Sequence, residues 1–485
     1  MSELAMILNK TQRGLNAAMG MLRRLPQLFR EKVSFRASVW SVTGYGTGQV
    51  IRFASNLILT RLLVPEVFGL MAIANSLLLG LSFFSDIGTH RSIIQNKRGE
   101  DPDFLNTAWT IQMIRGVVLF FLSAIAAYPM SMFYGDSRLL WLIPTLGLTS
   151  ITWGLCSTAL ITLNRRMQVG RLALFEIAIQ IIGLTVIIVL VQQTRSIQGL
   201  VIGMLVGEVF RVVGSHLLIK GYRNKLAWDR EALHEIIHFG KWLMFSTAMT
   251  FLATQTDRLI LGKYYSLTFI GIYAVAYTLS DVPRQVMRKL NQQVLLPEIC
   301  RQLEAYPEHL RDFILKRRKL LLTALGFGIS LMVAFGDLVI KFLFDDRYDQ
   351  GAWILPLMST GLWISALAIT ADPALYAIGK PKIPSFGNLA KFIYMLVAIP
   401  ILAMWLGPVG AIIAIAWNDV FYYVAVGWGL KREKLSVFRQ DFAFTLLLIP
   451  MIGVMVAFRL LIGHGTPLDT MPAIGQVVQE WLLQK

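Results

Sequence analysis

Residues 45–61 read YGTGQVIRFASNLILTR, and residues 247–263 read TAMTFLATQTDRLILGK. A shift of 202 residues superimposes them, so that Asn56-Leu57-Ile58-Leu59-Thr60-Arg61 faces Arg258-Leu259-Ile260-Leu261-Gly262-Lys263. The match continues with Gly69-Leu70-Met71-Ala72-Ile73-Ala74 against Gly271-Ile272-Tyr273-Ala274-Val275-Ala276. A weaker echo sets Trp141-Leu142-Ile143-Pro144 against Trp353-Ile354-Leu355-Pro356. Each stretch belongs to an apolar run of about 20 residues, the length that crosses a hydrocarbon core of about 30 Å as a helix. In lipid a spanning segment satisfies its backbone polar groups internally, so repeated runs of this kind predict helices. The repeat predicts two six-helix halves of like orientation, related by an axis along the membrane normal. Transporters use that plan, with the substrate between the halves.

The rest of the chain fits an all-α integral membrane protein. It is 55% hydrophobic and only 15% charged, where soluble domains carry about 25% charged residues. Thirteen spans are expected at 38–60, 66–87, 105–128, 139–162, 170–191, 197–219, 239–262, 267–290, 315–342, 352–377, 384–406, 408–430 and 441–462. With the N-terminus inside, the inner segments hold 34 of the 46 Lys and Arg residues, the outer segments seven and the spans five. That asymmetry is the positive-inside signature. It accounts for most of the net charge of +17 without nucleic acid as a partner. The expected organisation is a basic amphipathic inner segment 1–36 lying on anionic lipid, an N-terminal lobe 37–222, a linker 223–238, a C-terminal lobe 239–432, and an extra span with a short tail at 433–485. No cleavable signal peptide is expected, and Cys156 and Cys300 suggest no disulfide or thiolate cluster.

The polar residues inside the spans are the functional candidates. Tyr45, Gly48, Gln49, Arg52, Ser55 and Asn56 recur at three- and four-residue spacing and share one face of span 1. Thr247, Thr250, Thr254 and Asp257 repeat the stripe in span 7. Small and hydroxyl residues also serve helix packing, but an arginine at mid-bilayer costs roughly 2.5–3.5 kcal/mol and calls for a wet cavity or a partner. Arg52 and Arg115 have no acid three or four residues away, which makes them candidates for an anionic group, with a partner on another helix as the alternative. Arg258 adjoins Asp257, but neighbouring residues on a helix point about 100° apart. Glu208 with Arg211, and Asp281 with Arg284, have the spacing of structural pairs. Glu176, Asp257 and Asp419 are the acids through which a proton or sodium ion would couple.

Two motif matches point elsewhere. His234-Glu235-Ile236-Ile237-His238 has the literal zinc-protease pattern, yet it lies in the linker with no third ligand at a useful spacing. An amphipathic entry helix explains it, and no metal or other cofactor is expected. Gly240-Lys241, Gly262-Lys263 and Gly379-Lys380 are not followed by Ser or Thr, so no phosphate-binding loop is present and ATP is not expected as a partner.

The run Leu59-Thr60-Arg61-Leu62-Leu63-Val64-Pro65-Glu66-Val67-Phe68-Gly69-Leu70 resembles the end of span 1 in the bacterial polysaccharide transporter family. Phe239-Gly240, Asp257-Arg258-Leu259-Ile260-Leu261-Gly262 and Ala274-x-x-Tyr277 are similar to that family as well, and the likeness covers roughly residues 37–430. The family belongs to the multidrug/oligosaccharidyl-lipid/polysaccharide exporter superfamily, and relatives often have twelve or fourteen spans. The resemblance implies a non-enzymatic flippase of the bacterial inner membrane. Its substrate would be an undecaprenyl-diphosphate-linked oligosaccharide for O-antigen, exopolysaccharide or capsule synthesis, moved by alternating access of two lobes. Arg52, Arg115 and Arg258, with Gln49, Asn56 and Thr254, would line the diphosphate and glycan cavity, and polymerase or export machinery would be partners. A drug or cation antiporter on the same fold is the nearest alternative. A membrane glycan polymerase or ligase, or an intramembrane metalloprotease through residues 234–238, are alternatives from other classes.

Overall fold

The computed structural model describes residues 40, 43–219 and 223–470. The expected amphipathic segment 1–36 and residues 471–485 of the expected tail lie outside the described residues. Among those described, no strand occurs. The chain runs through α1 (43–62), α2 (Pro65–Phe84), α3 (Thr89–Gln95), α4 (Pro102–Tyr134), α5 (Leu139–Leu155), α6 (Ala159–Arg165), α7 (Val169–Thr194) and α8 (Ile197–Leu217). After the linker come α9 (Arg230–Tyr264), α10 (Leu267–Ser280), α11 (Val282–Leu290), a π-turn at Asn291–Leu295, and α12 (Leu296–Ala305). The remaining helices are α13 (Leu310–Leu343), α14 (Gly351–Ala371), α15 (Pro373–Ala377), α16 (Lys382–Ala416), α17 (Asp419–Arg432) and α18 (Phe438–Leu461).

Local chemistry sets many of these boundaries. Pro65, Pro102 and Pro373 open α2, α4 and α15, where a missing N–H costs nothing. Asp101, Ser196, Asp229 and Ser266 cap the starts of α4, α8, α9 and α10 with their side-chain oxygens. α16 contains a reversal at Gly407, whose φ of 59° and ψ of −145° are not helical. Past that break Gly410 lies so close to the Leu402 carbonyl that a Cβ would sit 2.0 Å from it. The chain therefore folds back, and residues 408–416 with α17 form the returning leg.

Eight described helices are long and apolar enough to cross a membrane, or nine if the bent pair α5 and α6 is one span. Lys382–Arg432 counts once among them despite the reversal at Gly407. α9, which carries Asp257 and Arg258, and α10, which is 14 residues long, are not among the eight.

α14 is the most enclosed helix, packed among α13, α10, α16 and α17. α7 and α18 are the opposite, with only Ile179 and Val191 buried in α7 and only Asp441, Leu448 and Arg459 buried in α18. α18 is nevertheless fastened to the bundle at two levels. Arg318 of α13 donates to Asp441 at 2.8 Å, and Arg459 donates to both oxygens of Asp337 at 2.5 and 2.7 Å.

The two chain halves approach closely at the start of α2 and α10. A Cβ on Gly69 would lie 1.9 Å from the Leu267 carbonyl oxygen, and one on Gly271 would lie 1.8 Å from the Pro65 carbonyl oxygen. Leu267 and Gly271 are Pro65 and Gly69 advanced by the same 202 residues, so the contact is reciprocal. At this same end Arg347 donates to the Thr60 and Arg61 carbonyls at 3.1 and 3.2 Å, and Lys263 donates to the Phe133 carbonyl at 2.9 Å. Each bond joins one half to the other, and this is the end that the Lys and Arg distribution assigns to the outside.

Candidate functional site: a polar chain between the halves

The α1 stripe faces α11. Gln49 donates to Gln285 at 2.5 Å and to the Tyr45 hydroxyl at 3.1 Å, and Tyr45 donates to Gln285 at 3.2 Å. Arg52 donates from Nε to Gln49 at 2.7 Å. Among the described residues no carboxylate lies within 4.0 Å of Arg52, and its side chain is exposed to the space between helices. Asn56 follows one turn on and is half-buried.

From Gln285 the polar contacts continue into the C-terminal half. Gln285 donates to Asp281 at 3.1 Å, and Asp281 lies 3.3 Å from Arg284. Arg284 reaches Asp419 at 3.0 Å, and Asp419 accepts from Lys391 at 2.7 Å. This chain joins α1, α11, α16 and α17 and balances two acids against two bases. Ion pairs out of water hold only when geometry and further hydrogen bonds offset desolvation. A cavity of about 460 Å³ adjoins it, lined in part by Arg91, Arg288, Lys391, Asp372, Asp419 and Thr254. Thr254 donates back to the Thr250 carbonyl at 2.8 Å.

The other candidates are dispersed. Glu176 and Glu208 share Arg211, at 2.8 and 3.3 Å, and the Arg211 guanidinium lies 5.1 Å from the Trp153 ring. All three line a cavity of about 520 Å³ between α1, α7 and α8 that also contains Arg52. Arg115 lines a separate cavity of about 300 Å³ and donates to the Ser82 carbonyl at 2.7 Å and to the Ser85 hydroxyl at 3.1 Å. Arg258 donates to Gln255 at 3.1 Å, which also accepts from Ser76 of α2, and it lies 5.2 Å from the Tyr277 ring. Asp257 accepts from the buried Tyr273 hydroxyl.

Three cations counted with the inner segments, Arg284, Arg318 and Lys391, lie inside the helix bundle, with Arg318 0% and Lys391 5% exposed. Arg318 and Lys391 pair with acids distant in sequence, and Arg284 reaches distant Asp419 as well as its neighbour Asp281, so local spacing reveals only the last of these contacts. The charge asymmetry between the two faces survives their removal. Arg91, Arg288, Gln285 and Asn291 also join the central region without having been singled out. The only sequence signal for them was their place at the inner ends of spans 2 and 8.

The 234–238 motif is a docking element. Ile236 is buried with Ile93, Phe104, Leu105 and Ala232, and Glu235 accepts from Asn96. His234 and His238 are exposed and stack with ring centroids 6.1 Å apart. Among the described residues no group of three metal-ligating side chains gathers anywhere. Beside the motif Arg98 donates to Asp229 at 2.6 Å and to Asp101 at 2.9 Å. The Arg98 bond, helped by the Glu231 backbone N–H, holds the Asp229 carboxyl below its ordinary range.

The family model described as polysaccharide biosynthesis protein matches residues 58–352. The succinoglycan biosynthesis transport protein ExoT of Rhizobium meliloti is 20% identical over 433 residues, covering 88% of this chain and 86% of the relative. Among solved structures, the lipid II flippase MurJ in an inward closed conformation matches with a TM-score of 0.69 at 16% identity, covering 92% of this chain and 97% of that one. An inward-facing multidrug resistance MATE family transporter of the MOP superfamily matches with a TM-score of 0.63 at 14% identity, covering 81% and 96%. The fold is thus the one shared by these two transporters.

Proposed function

Since the chain belongs to the polysaccharide biosynthesis protein family, we propose that this multi-pass transport protein flips a diphosphate-linked oligosaccharide on an undecaprenyl carrier across the bacterial inner membrane. The observation that carries the proposal is Arg52. It stands on the polar face of α1 beside the polar chain, and among the described residues it has a neutral glutamine where a carboxylate would otherwise neutralise it. A guanidinium keeps its charge and pairs with phosphate in forked geometry.

In this proposal thirteen spans form two lobes, 37–222 and 239–432, joined by the linker 223–238, with α18 as an added span and the N-terminus inside. The diphosphate enters from the inner leaflet and meets Arg52 and Gln49, with Asn56 and Thr254 further along the path. Arg258 and Arg115 act after a rearrangement, since both now hold protein acceptors. The prenyl tail stays in lipid. The lobes then separate at the Gly69–Gly271 crossing and close at Tyr45 and Gln285. An ion gradient would act through Glu176, Asp257 or Asp419. Each already has an internal partner, so a proton or cation bound there would break a bond and bias the lobes.

The test is complementation of a flippase-deficient strain, scored by accumulation of the inner-leaflet lipid-linked oligosaccharide. Arg52→Ala should abolish export while the protein inserts at wild-type level. Normal export by a stably expressed Arg52→Ala variant would refute the assignment.

A further inference from the structure

The cavity of about 460 Å³ carries two sets of groups with different chemistry. One is basic, with Arg91, Arg288 and Lys391. The other is accepting and aromatic, with Asn291, Asp372 and Tyr376. Asp372, at the junction of α14 and α15, accepts from the Tyr422 hydroxyl at 2.8 Å. Lys391 is bound to Asp419 at 2.7 Å. Asp419 and Tyr422 are three residues apart on α17, which puts the two sets about 4.5 Å apart along that helix.

Asn291 supplies an independent sign of a ligand. It is 6% exposed, and its amide nitrogen donates to the Ile369 carbonyl. Its Oδ1 is buried and has no donor among the described residues. Asn291 also opens the five-residue π-turn after α11, a distortion that recurs at functional sites. A buried acceptor without a donor is costly unless something fills the position.

The acceptors Asn291 Oδ1 and Asp372 would repel a phosphate oxygen. A metal cation would suit them, but Arg288 and Lys391 line the same cavity and oppose it. What remains is a neutral ligand rich in hydroxyl donors with an apolar face for the exposed Tyr376 ring. A hexose has those properties. In a lipid-linked glycan the first sugar is bonded directly to the diphosphate, so a diphosphate that meets Arg52 on entry and moves on to Arg91 and Arg288 would bring its first sugar to the accepting set.

We propose that Asn291, Asp372 and Tyr376 form the subsite that reads the hexose attached to the diphosphate. This rests on the transport function proposed above. The test uses the full-length protein purified in detergent and three probes: geranyl diphosphate, and the same diphosphate bearing one glucosyl or one galactosyl residue. At least one glycosylated probe should bind about tenfold tighter than the bare one, the increment of roughly one hydrogen bond to a charged group. That ratio should fall toward one in Asn291→Ala and in Tyr376→Ala. Tyr376 is 45% exposed, so its variant keeps the test readable if Asn291→Ala fails to fold. Equal affinity for all three probes, or a ratio that survives in the variants, would overturn the subsite. A folded wild-type protein that binds none of the probes would overturn the diphosphate transport proposal itself.

Discussion

The attachment of α18 makes a quantitative prediction. Arg459 is 3% exposed and donates to both oxygens of Asp337, to the Ala334 carbonyl and to the Gly465 carbonyl. Asp337, 1% exposed, receives side-chain bonds only from Arg459 among the described contacts. Removing one member of a buried pair costs about 3–5 kcal/mol, because the survivor is left desolvated, whereas replacing both by apolar groups is often neutral. The two single changes should differ. Asp337→Ala leaves the guanidinium two carbonyl acceptors and should cost about 3 kcal/mol, the low end of that range. Arg459→Leu strands a buried carboxylate and should cost about 5 kcal/mol. The double variant Asp337→Leu with Arg459→Leu should lie within about 1 kcal/mol of the parent. The assay is the apparent melting temperature of the detergent-solubilised protein, where about 2 °C per kcal/mol predicts losses of roughly 6 °C and 10 °C for the singles. A double variant that melts as low as the worse single would show that the pair does not hold α18, and the reasoning would fail.

Three further outcomes follow from other contacts. Gly271→Val puts a side chain where a Cβ already lies 1.8 Å from the Pro65 carbonyl. It should force the α2–α10 crossing apart at a cost of at least about 1–3 kcal/mol, read as faster labelling of a cysteine placed at residue 267. The Arg98 bond keeps Asp229 ionised below its ordinary pKa of 3.8. Its stabilising contribution is therefore complete above that value and is lost as the pH falls through the lowered one. Proteolysis of residues 223–229 should accelerate only in acid for the parent and already at neutral pH for Asp229→Asn. His234→Ala with His238→Ala should leave glycan export unchanged in the complementation assay. Loss of export with normal expression would reopen a role for the motif.

The helical membrane fold was legible because it rests on properties each segment carries alone. An apolar run of about 20 residues must be a helix in lipid whatever surrounds it, and Pro65, Pro102, Asp229 and Ser266 mark starts by their own backbone chemistry. The Gly69 and Gly271 match was legible for a related reason. Two backbones that touch at a single crossing admit no side chain on either, so both positions show the same constraint. Charge pairing is different, because an ion pair depends on which helices meet. Asp281 and Arg284 can be matched by spacing, but the same Arg284 also reaches Asp419, 135 residues away, and Asp419 holds Lys391 as well. Glu176 looked free on its own helix and is bound to Arg211 of α8. Absence of a local partner therefore selects poorly for function. Arg115 and Arg52 looked alike by that test, and the structure separates them: Arg115 donates three times, from Nε and Nη2, to Ser82 and Ser85, while Arg52 donates once, to Gln49, and lies 6.0 Å from the Tyr45 ring. Forked pairing of a phosphate would compete with three existing bonds at Arg115 and with one at Arg52. That difference ranks Arg52 first among the arginines, and substitution of Arg115 should damage folding before it damages transport.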